Sequence, residues 1–173
     1  MPKRSVRENK NIWQLAREAA GLTRAAASEK TGFLSESVIE KIEYGEKKPD
    51  PEEVLALAKA YKRMDLCNQY CARECAIGAR NVQEITVRGL PDIVIGMLDS
   101  LNHLEQKKNR LIEITVDGQV SEDELKDFAR IQQLTGRLSM MTDALRLWVE
   151  QNIAEGRVDS RLLKRYQEEN MIE

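Results

Sequence analysis

Three glycines punctuate the first third of this chain, and the residues around them leave little choice of fold. Gly21, Gly32 and Gly45 each close a stretch of helical periodicity. Each is followed by a residue suited to cap a new helix, namely Thr23, Ser35 and Asp50. Glycine takes up the left-handed conformation that ends a helix without steric cost, and a hydroxyl or carboxylate at the cap accepts from the free amides of the next first turn. The elements here must be short helices joined by tight turns. The first is expected over residues 9–20, with Ile12, Leu15, Ala16 and Ala19 as its buried stripe, and the second ends near Lys30. The third starts after Ser35 and turns Val38, Ile39 and Ile42 inward. The fourth opens in "PDPEEVLALAKAY": Pro51 suits the first helical position, Glu52 and Glu53 favour the positive end of the helix dipole, and Val54, Leu57, Ala58 and Tyr61 form the apolar stripe.

With 173 residues, 42% hydrophobic and 32% charged, the chain suffices for one globular domain or two small ones. No run approaches the ~20 apolar residues that span a bilayer. "MPKRSVRENK" is basic without an apolar signal core behind it, so a cytoplasmic protein without a membrane partner is expected. The net charge of −2 is too small for a strong nucleic-acid binder taken as a whole, but it is unevenly spread. Residues 1–63 hold 13 Lys and Arg against 10 Asp and Glu, and residues 64–173 hold 14 against 19. The basic part comes first.

Cys67, Cys71 and Cys75 recur every four residues in "DLCNQYCARECAIGAR", a spacing that sets three sulfurs on one helical face about 6 Å apart per step. Three thiolates are a candidate zinc site or oxidant sensor. However, zinc sites favour four ligands and tighter Cys pairs, and the single histidine, His103, lies in another helix. The expectation is therefore no metal and no cofactor, with the cysteines acting as small hydrophobes. "NVQEITVRGLPD" reads as an irregular strap. From Leu90 the pattern lengthens: Leu90, Val94, Met97, Leu101, Leu104 and Leu111 alternate steps of four and three, with Lys108 in the one polar position. After a break at Gly118 and a capping box at Ser121 and Glu124, a second stripe follows in Ile131, Leu134, Leu138, Met141, Leu145 and Trp148. Beyond Gly156, Asp159 starts a short last helix. Nowhere do Val, Ile and Thr alternate long enough to demand a sheet, so the fold class is all-α: an N-terminal bundle followed by a long antiparallel helical hairpin.

Over residues 9–63 the short helices, "GLT" at 21–23 and "SESVIEKIEYGEKKP" at 35–49 resemble the helix-turn-helix family of the lambda repressor and Cro type, the XRE family. Ile42, Glu43, Gly45 and Pro49 fall on that family's helix ending and following proline, while "GFLS" is one residue longer than its usual turn. The resemblance implies a recognition helix in the major groove, preceded by a helix that crosses the backbone. It would present Glu36, Ser37, Glu40, Lys41 and Tyr44 to the groove. Arg24, where the family more often has glutamine, would meet phosphate or guanine, and Lys47 and Lys48 would meet phosphates, helped by a basic arm of Lys3, Arg4, Arg7 and Lys10. Glu43 falls on a structural position, for which a local hydrogen bond is expected.

The acids of the recognition helix admit two readings. Ser35 to Lys48 carries four acids and three bases, so DNA is not attracted on charge alone. Glu36 or Glu40 can accept from the N4 amino group of cytosine and so trade affinity for specificity. Alternatively the module docks another protein and the glutamates are plain solvated residues. No glycine-rich phosphate loop, His-paired nucleophile or metal motif is present, so no enzyme is expected. The expected organisation is a helix-turn-helix DNA-binding domain over 1–63, a cysteine-containing connector over 64–88 and a helical hairpin over 89–173. The expected function is a sequence-specific transcriptional regulator that binds double-stranded DNA as a homodimer through the hairpin, or else a protein-interaction adaptor with the same fold.

Overall fold

The computed structural model describes residues 9–169, and among these every regular element is a helix. Lys3, Arg4 and Arg7 of the basic arm lie outside the described residues. The chain forms two compact units, one of residues 9–84 with 150–169 and one of residues 85–149.

In the first unit the expected caps Thr23, Ser35 and Asp50 start their helices, and Asn11, within the stretch expected to be helical, caps the first. Asn11 Oδ1 accepts from Gln14 N at 3.1 Å and starts α1 (Ile12–Ala19). Thr23 Oγ1 accepts from Ala26 N at 3.1 Å and starts α2 (Arg24–Thr31). Ser35 Oγ accepts from Val38 N at 3.3 Å and starts α3 (Glu36–Tyr44). Asp50 and Glu53 satisfy each other's backbone amides, both at 2.9 Å, in a complete capping box on α4 (Pro51–Tyr61). Gly32 and Gly45, at φ +80° and +74°, end α2 and α3 in the left-handed conformation that a side chain would strain.

These helices bury one core. Ile39 and Ile42 of α3 and Val54, Leu57, Ala58 and Tyr61 of α4 are all sealed from solvent, together with Ala27, Leu34 and Leu66. The inner face of α1 is only partly the expected one: Ala16 is buried and Ile12 packs against the core, but Leu15 is 52% exposed and Ala19 is exposed, whereas Trp13, Gln14 and Arg17 are buried. Two forces set this rotation. Trp13 has the larger apolar area to hide, and Arg17 and Gln14 each find a carboxylate, Arg17 on Glu43 and Gln14 on Glu18 at 3.0 Å. Lys10 of the expected basic arm bonds the same Glu18 at 2.7 Å, and this bond, against the opposing effect of burial, holds the Glu18 carboxyl below the usual carboxylate range.

The three cysteines do not share a helical face. Cys67 and Cys71 lie in α5 (Asp65–Arg73), but Cys75 falls beyond its end, where the chain folds back into α6 (Gly78–Asn81). Glycine makes the fold-back feasible, since a Cβ at Gly78 would sit 2.2 Å from the Cys71 carbonyl oxygen. Cys67 packs against the core, and burial, followed by the neighbouring Cys71 and Glu150, pushes its thiol pKa up, the wrong direction for a reactive thiolate. Among the described residues no group of three or more His, Cys, Asp or Glu could hold a metal ion. The strap over 82–89 is irregular, as expected, and is tied by Asn68 Nδ2 donating to Gln83 O at 3.0 Å and by Arg73 bonding Glu84 at 2.8 Å.

In the second unit α7 (Leu90–Ile114) and α8 (Leu125–Ala154) pack antiparallel. Gly96 lies against Met141 near one end, and Arg110 bonds Asp127 at 2.9 Å near the other. Gly118, at φ +73°, breaks the connection as read. Glu124 accepts from Ser121 N at 3.0 Å, but the Ser121 hydroxyl donates to that same carboxylate instead of accepting from the next turn, so only half of the expected box forms. The α8 stripe is as expected at Ile131, Leu134 and Met141, with Ala144 and Leu147 taking over further along.

On α7 the inner stripe keeps Met97, Leu104 and Leu111 of the expected one but takes Ile93 and Ser100 in place of Val94 and Leu101. Ile93, Ser100 and Ile114 are buried and Met97, Leu104 and Leu111 half-buried, while Val94 and Leu101 are 41% and 46% exposed. Small residues decide the matter. With hydrogen at Gly96 and a short hydroxyl at Ser100, which donates to Gly96 O at 2.9 Å, α8 approaches so closely that a Cβ at Gly96 would be 2.7 Å from Met141 Sδ. The last residues of α8 and α9 (Ser160–Glu169) belong to the first unit. There Gln151 accepts from Met64 N at 3.1 Å and donates to Lys62 O at 2.6 Å, and Asp159 caps α9 by accepting from Arg161 N and Leu162 N. No described helix is long and apolar enough to cross a membrane.

Candidate nucleic-acid interface

The segment between α2 and α3 is anchored from within. In "GFLS" the Leu34 side chain is buried at 4% exposure while Phe33 is 62% exposed, so the longer turn is absorbed by placing one residue in the core and one in solvent. Because Ile39 and Ile42 lock α3 onto the core, the opposite face must point outward. Glu36, Ser37, Lys41 and Tyr44 are exposed there and Glu40 is half-buried. With half-buried Arg24 and Lys47 and exposed Lys48, none of the eight residues read as DNA contacts is buried.

What holds this face in place is a chain of charges running through the domain. Glu43 is buried at the inner end, where its carboxylate accepts from Arg17 Nε, from Arg17 Nη2 at 3.0 Å and from Arg24 Nε at 2.9 Å. Arg17 also donates through Nη1 to Leu22 O at 2.7 Å. Glu43 is thus hydrogen-bonded within the fold, but to partners 26 and 19 residues away and not locally as expected. Arg24 continues the chain outward: its Nη1 donates to Glu40 Oε1 at 2.6 Å, and its guanidinium lies 5.1 Å from the centre of the Tyr44 ring. Partial burial works against the charge on Arg24. Hydrogen bonds with Tyr44 and Glu43, and the two carboxylates, outweigh that effect and raise its pKa.

Arg24, Glu40 and Tyr44 are therefore one assembly, not three separate side chains, and the acid on the outward face of α3 is balanced by the base beside it. The two lysines after α3 are also engaged. Lys47 pairs with Glu53, the acid of the capping box on α4, and Lys48 pairs with Glu74 at 2.9 Å, which raises the Lys48 pKa although its side chain is 84% exposed. Lys41 has no ion pair among the described residues. Glu36, Ser37 and Lys41 are not drawn into the assembly.

Reading by helical stripes misses Arg17, Glu53 and Glu74 as partners of this face, because ion pairs between helices leave no periodic trace. One signal existed for Arg17: it sits one turn beyond Trp13, on the stripe that α1 had to bury.

Comparison with known proteins bears on this same segment. The helix-turn-helix family model matches residues 14–66, from the inner face of α1 to the buried Leu66 of α5. No curated protein and no solved structure matches the chain.

Proposed function

From its XRE-type helix-turn-helix domain at residues 14–66, we propose that this chain is a sequence-specific DNA-binding transcriptional regulator that acts as a dimer. The observation that carries the reading is the outward face of α3, accessible at every proposed contact and fixed at its inner end by the buried Glu43. In the major groove Glu36, Ser37, Glu40, Lys41 and Tyr44 address base edges, while Arg24, Lys47 and Lys48 address DNA at the borders of the helix.

The role of the cations at phosphate is tested by replacing Arg24 and Lys47 together with alanine. Every phosphate that no longer meets a cation takes about 0.9 from the slope of log affinity against log salt, so a slope shallower by up to ~1.8 is expected, with weaker binding at every salt concentration. An unchanged slope would remove both residues from the interface. The second reading, a protein-docking module, is favoured by one observation: Arg24, Lys47 and Lys48 are all bonded to carboxylates of the chain itself. It expects no salt-dependent affinity for any duplex.

For the dimer, α7 offers a second apolar stripe. Val94, Leu98 and Leu101 follow heptad spacing at 41%, 54% and 46% exposure, flanked by Ile95 and Ile112 at 65% and 57%. Apolar surface of this extent on a helix marks an interaction site, and an isologous pairing of two such faces buries both. It would also hold two recognition helices for half-sites about 34 Å apart. Leu98→Asp with Leu101→Asp is expected to turn a dimer into a monomer at micromolar concentration in sedimentation. A wild-type monomer, or a dimer unchanged by the pair, would move the interface elsewhere.

A further inference from the structure

We infer that Glu40 is a built-in competitor for Arg24, which makes the release of Arg24 to DNA conditional on the base pair that Glu40 meets. The inference rests on the DNA-binding reading above. In the structure the Glu40 carboxylate takes the outer Nη1 edge of Arg24 at 2.6 Å, while Nε is tied inward to Glu43 at 2.9 Å and the guanidinium is stacked near the Tyr44 ring. The two ends of this ion pair differ in freedom. Arg24 is anchored at Nε and its side chain is 24% exposed, whereas the Glu40 side chain is 44% exposed on the outward face of α3 with Arg24 as its only ion-pair partner among the described residues. Glu40 is the member of the pair that can turn away.

The chemistry of the groove then decides whether it does. Opposite a C·G pair the carboxylate has an alternative donor in the cytosine N4 amino group, so it can leave Arg24 without losing its hydrogen bond, and the freed guanidinium edge turns to DNA. Opposite any other pair that donor is missing or wrongly placed. Leaving Arg24 would then strand a carboxylate near phosphates, and staying keeps Arg24 occupied. A single ion pair thereby couples base identity to backbone affinity. This gives a physical reason for an acid on a recognition face: it suppresses binding at wrong sites by holding back a cation that binds everywhere.

The test is enrichment of duplexes from a randomised pool, followed by affinity measurements, for the full chain and its Glu40→Gln, Arg24→Gln and doubly substituted forms. Glu43 keeps Arg17 in all four, so the buried pair is untouched. The wild type is expected to require C·G at one position per half-site. Glu40→Gln should lose that requirement and bind unselected duplex roughly five- to tenfold more tightly, the scale of one cation freed to meet a phosphate. In the Arg24→Gln background the same substitution should change affinity by under about twofold, because no cation remains to be released. An equal gain with and without Arg24 would reduce Glu40 to bulk charge and overturn the inference while leaving DNA binding intact. So would enrichment with no C·G requirement that depends on Glu40. A wild type that enriches no duplex would overturn the DNA-binding reading and this inference with it.

Discussion

Replacing Glu43 with alanine is expected to cost the first unit about 3–5 kcal/mol, the range for breaking a buried ion pair from one side. The loss is large because the partner stays behind. Arg17 is 8% exposed and would keep only its bond to Leu22 O, with Nε and Nη2 left facing a cavity in the core. Arg24 would lose its inner anchor as well, but it lies closer to solvent and retains Glu40. A second substitution separates this mechanism from a simple loss of packing. Arg17→Met combined with Glu43→Leu replaces the pair with apolar groups of similar volume and should recover most of the lost stability. Urea unfolding measures both. A single-variant loss under about 1 kcal/mol, or a double variant no better than the single, would contradict the account of the pair.

Leu57→Ala should cost nearly as much, about 2–5 kcal/mol, through transfer of the deleted methyl groups and the cavity left behind. Leu57 is fully buried in the middle of α4, within the same cluster as Ile39 and Ile42 of α3. A small domain has about 5–15 kcal/mol in total, so the urea midpoint should fall steeply at unchanged slope. A shift within error would mean that Leu57 does not anchor the core it shares with Ile39 and Ile42 of α3.

The parts of this fold that were legible in the amino-acid order are those decided locally. Thr23, Ser35 and Asp50 cap helices through amides three residues away, and Gly32 and Gly45 end them through their own backbone angles, so each signal lies within one turn of its effect. The α4 stripe was legible for a related reason, since Val54, Leu57 and Tyr61 are its only large apolar groups apart from Leu55, which is 47% exposed, and Ala58 falls on their face.

Choices between two competing faces were not legible. On α1 Leu15 competes with Trp13, and the outcome turns on carboxylates such as Glu43, which lies 26 residues from Arg17. On α7 two apolar stripes run side by side, and the one through Gly96 and Ser100 wins because it lets Met141 in, a property that belongs to the facing helix. The cysteine spacing failed in the same way: Cys75 keeps the period of four, but the helix ends at Arg73 so that Gly78 can rest on the Cys71 carbonyl.

The candidate site follows the same division. Which residues of α3 face outward was legible from those that face inward. That Glu40 and Tyr44 both address Arg24, and that Lys47 and Lys48 address Glu53 and Glu74, depends on pairings between separate elements, some of them far apart in the chain. These pairings alter the electrostatic reading of the surface. A count of four acids and three bases from Ser35 to Lys48 offers DNA no attraction on charge alone, but much of that charge is already neutralised by neighbours, and under the proposed function what a duplex would meet is set by which pairs can be exchanged.

The central claim, that an acidic recognition helix reads DNA from a two-fold pair of domains, is tested most directly by genomic footprinting of the tagged full-length chain. The account predicts a short palindromic motif with half-site centres about 10 base pairs, one helical turn, apart. Footprints scattered without a shared motif, or none above background, would contradict it.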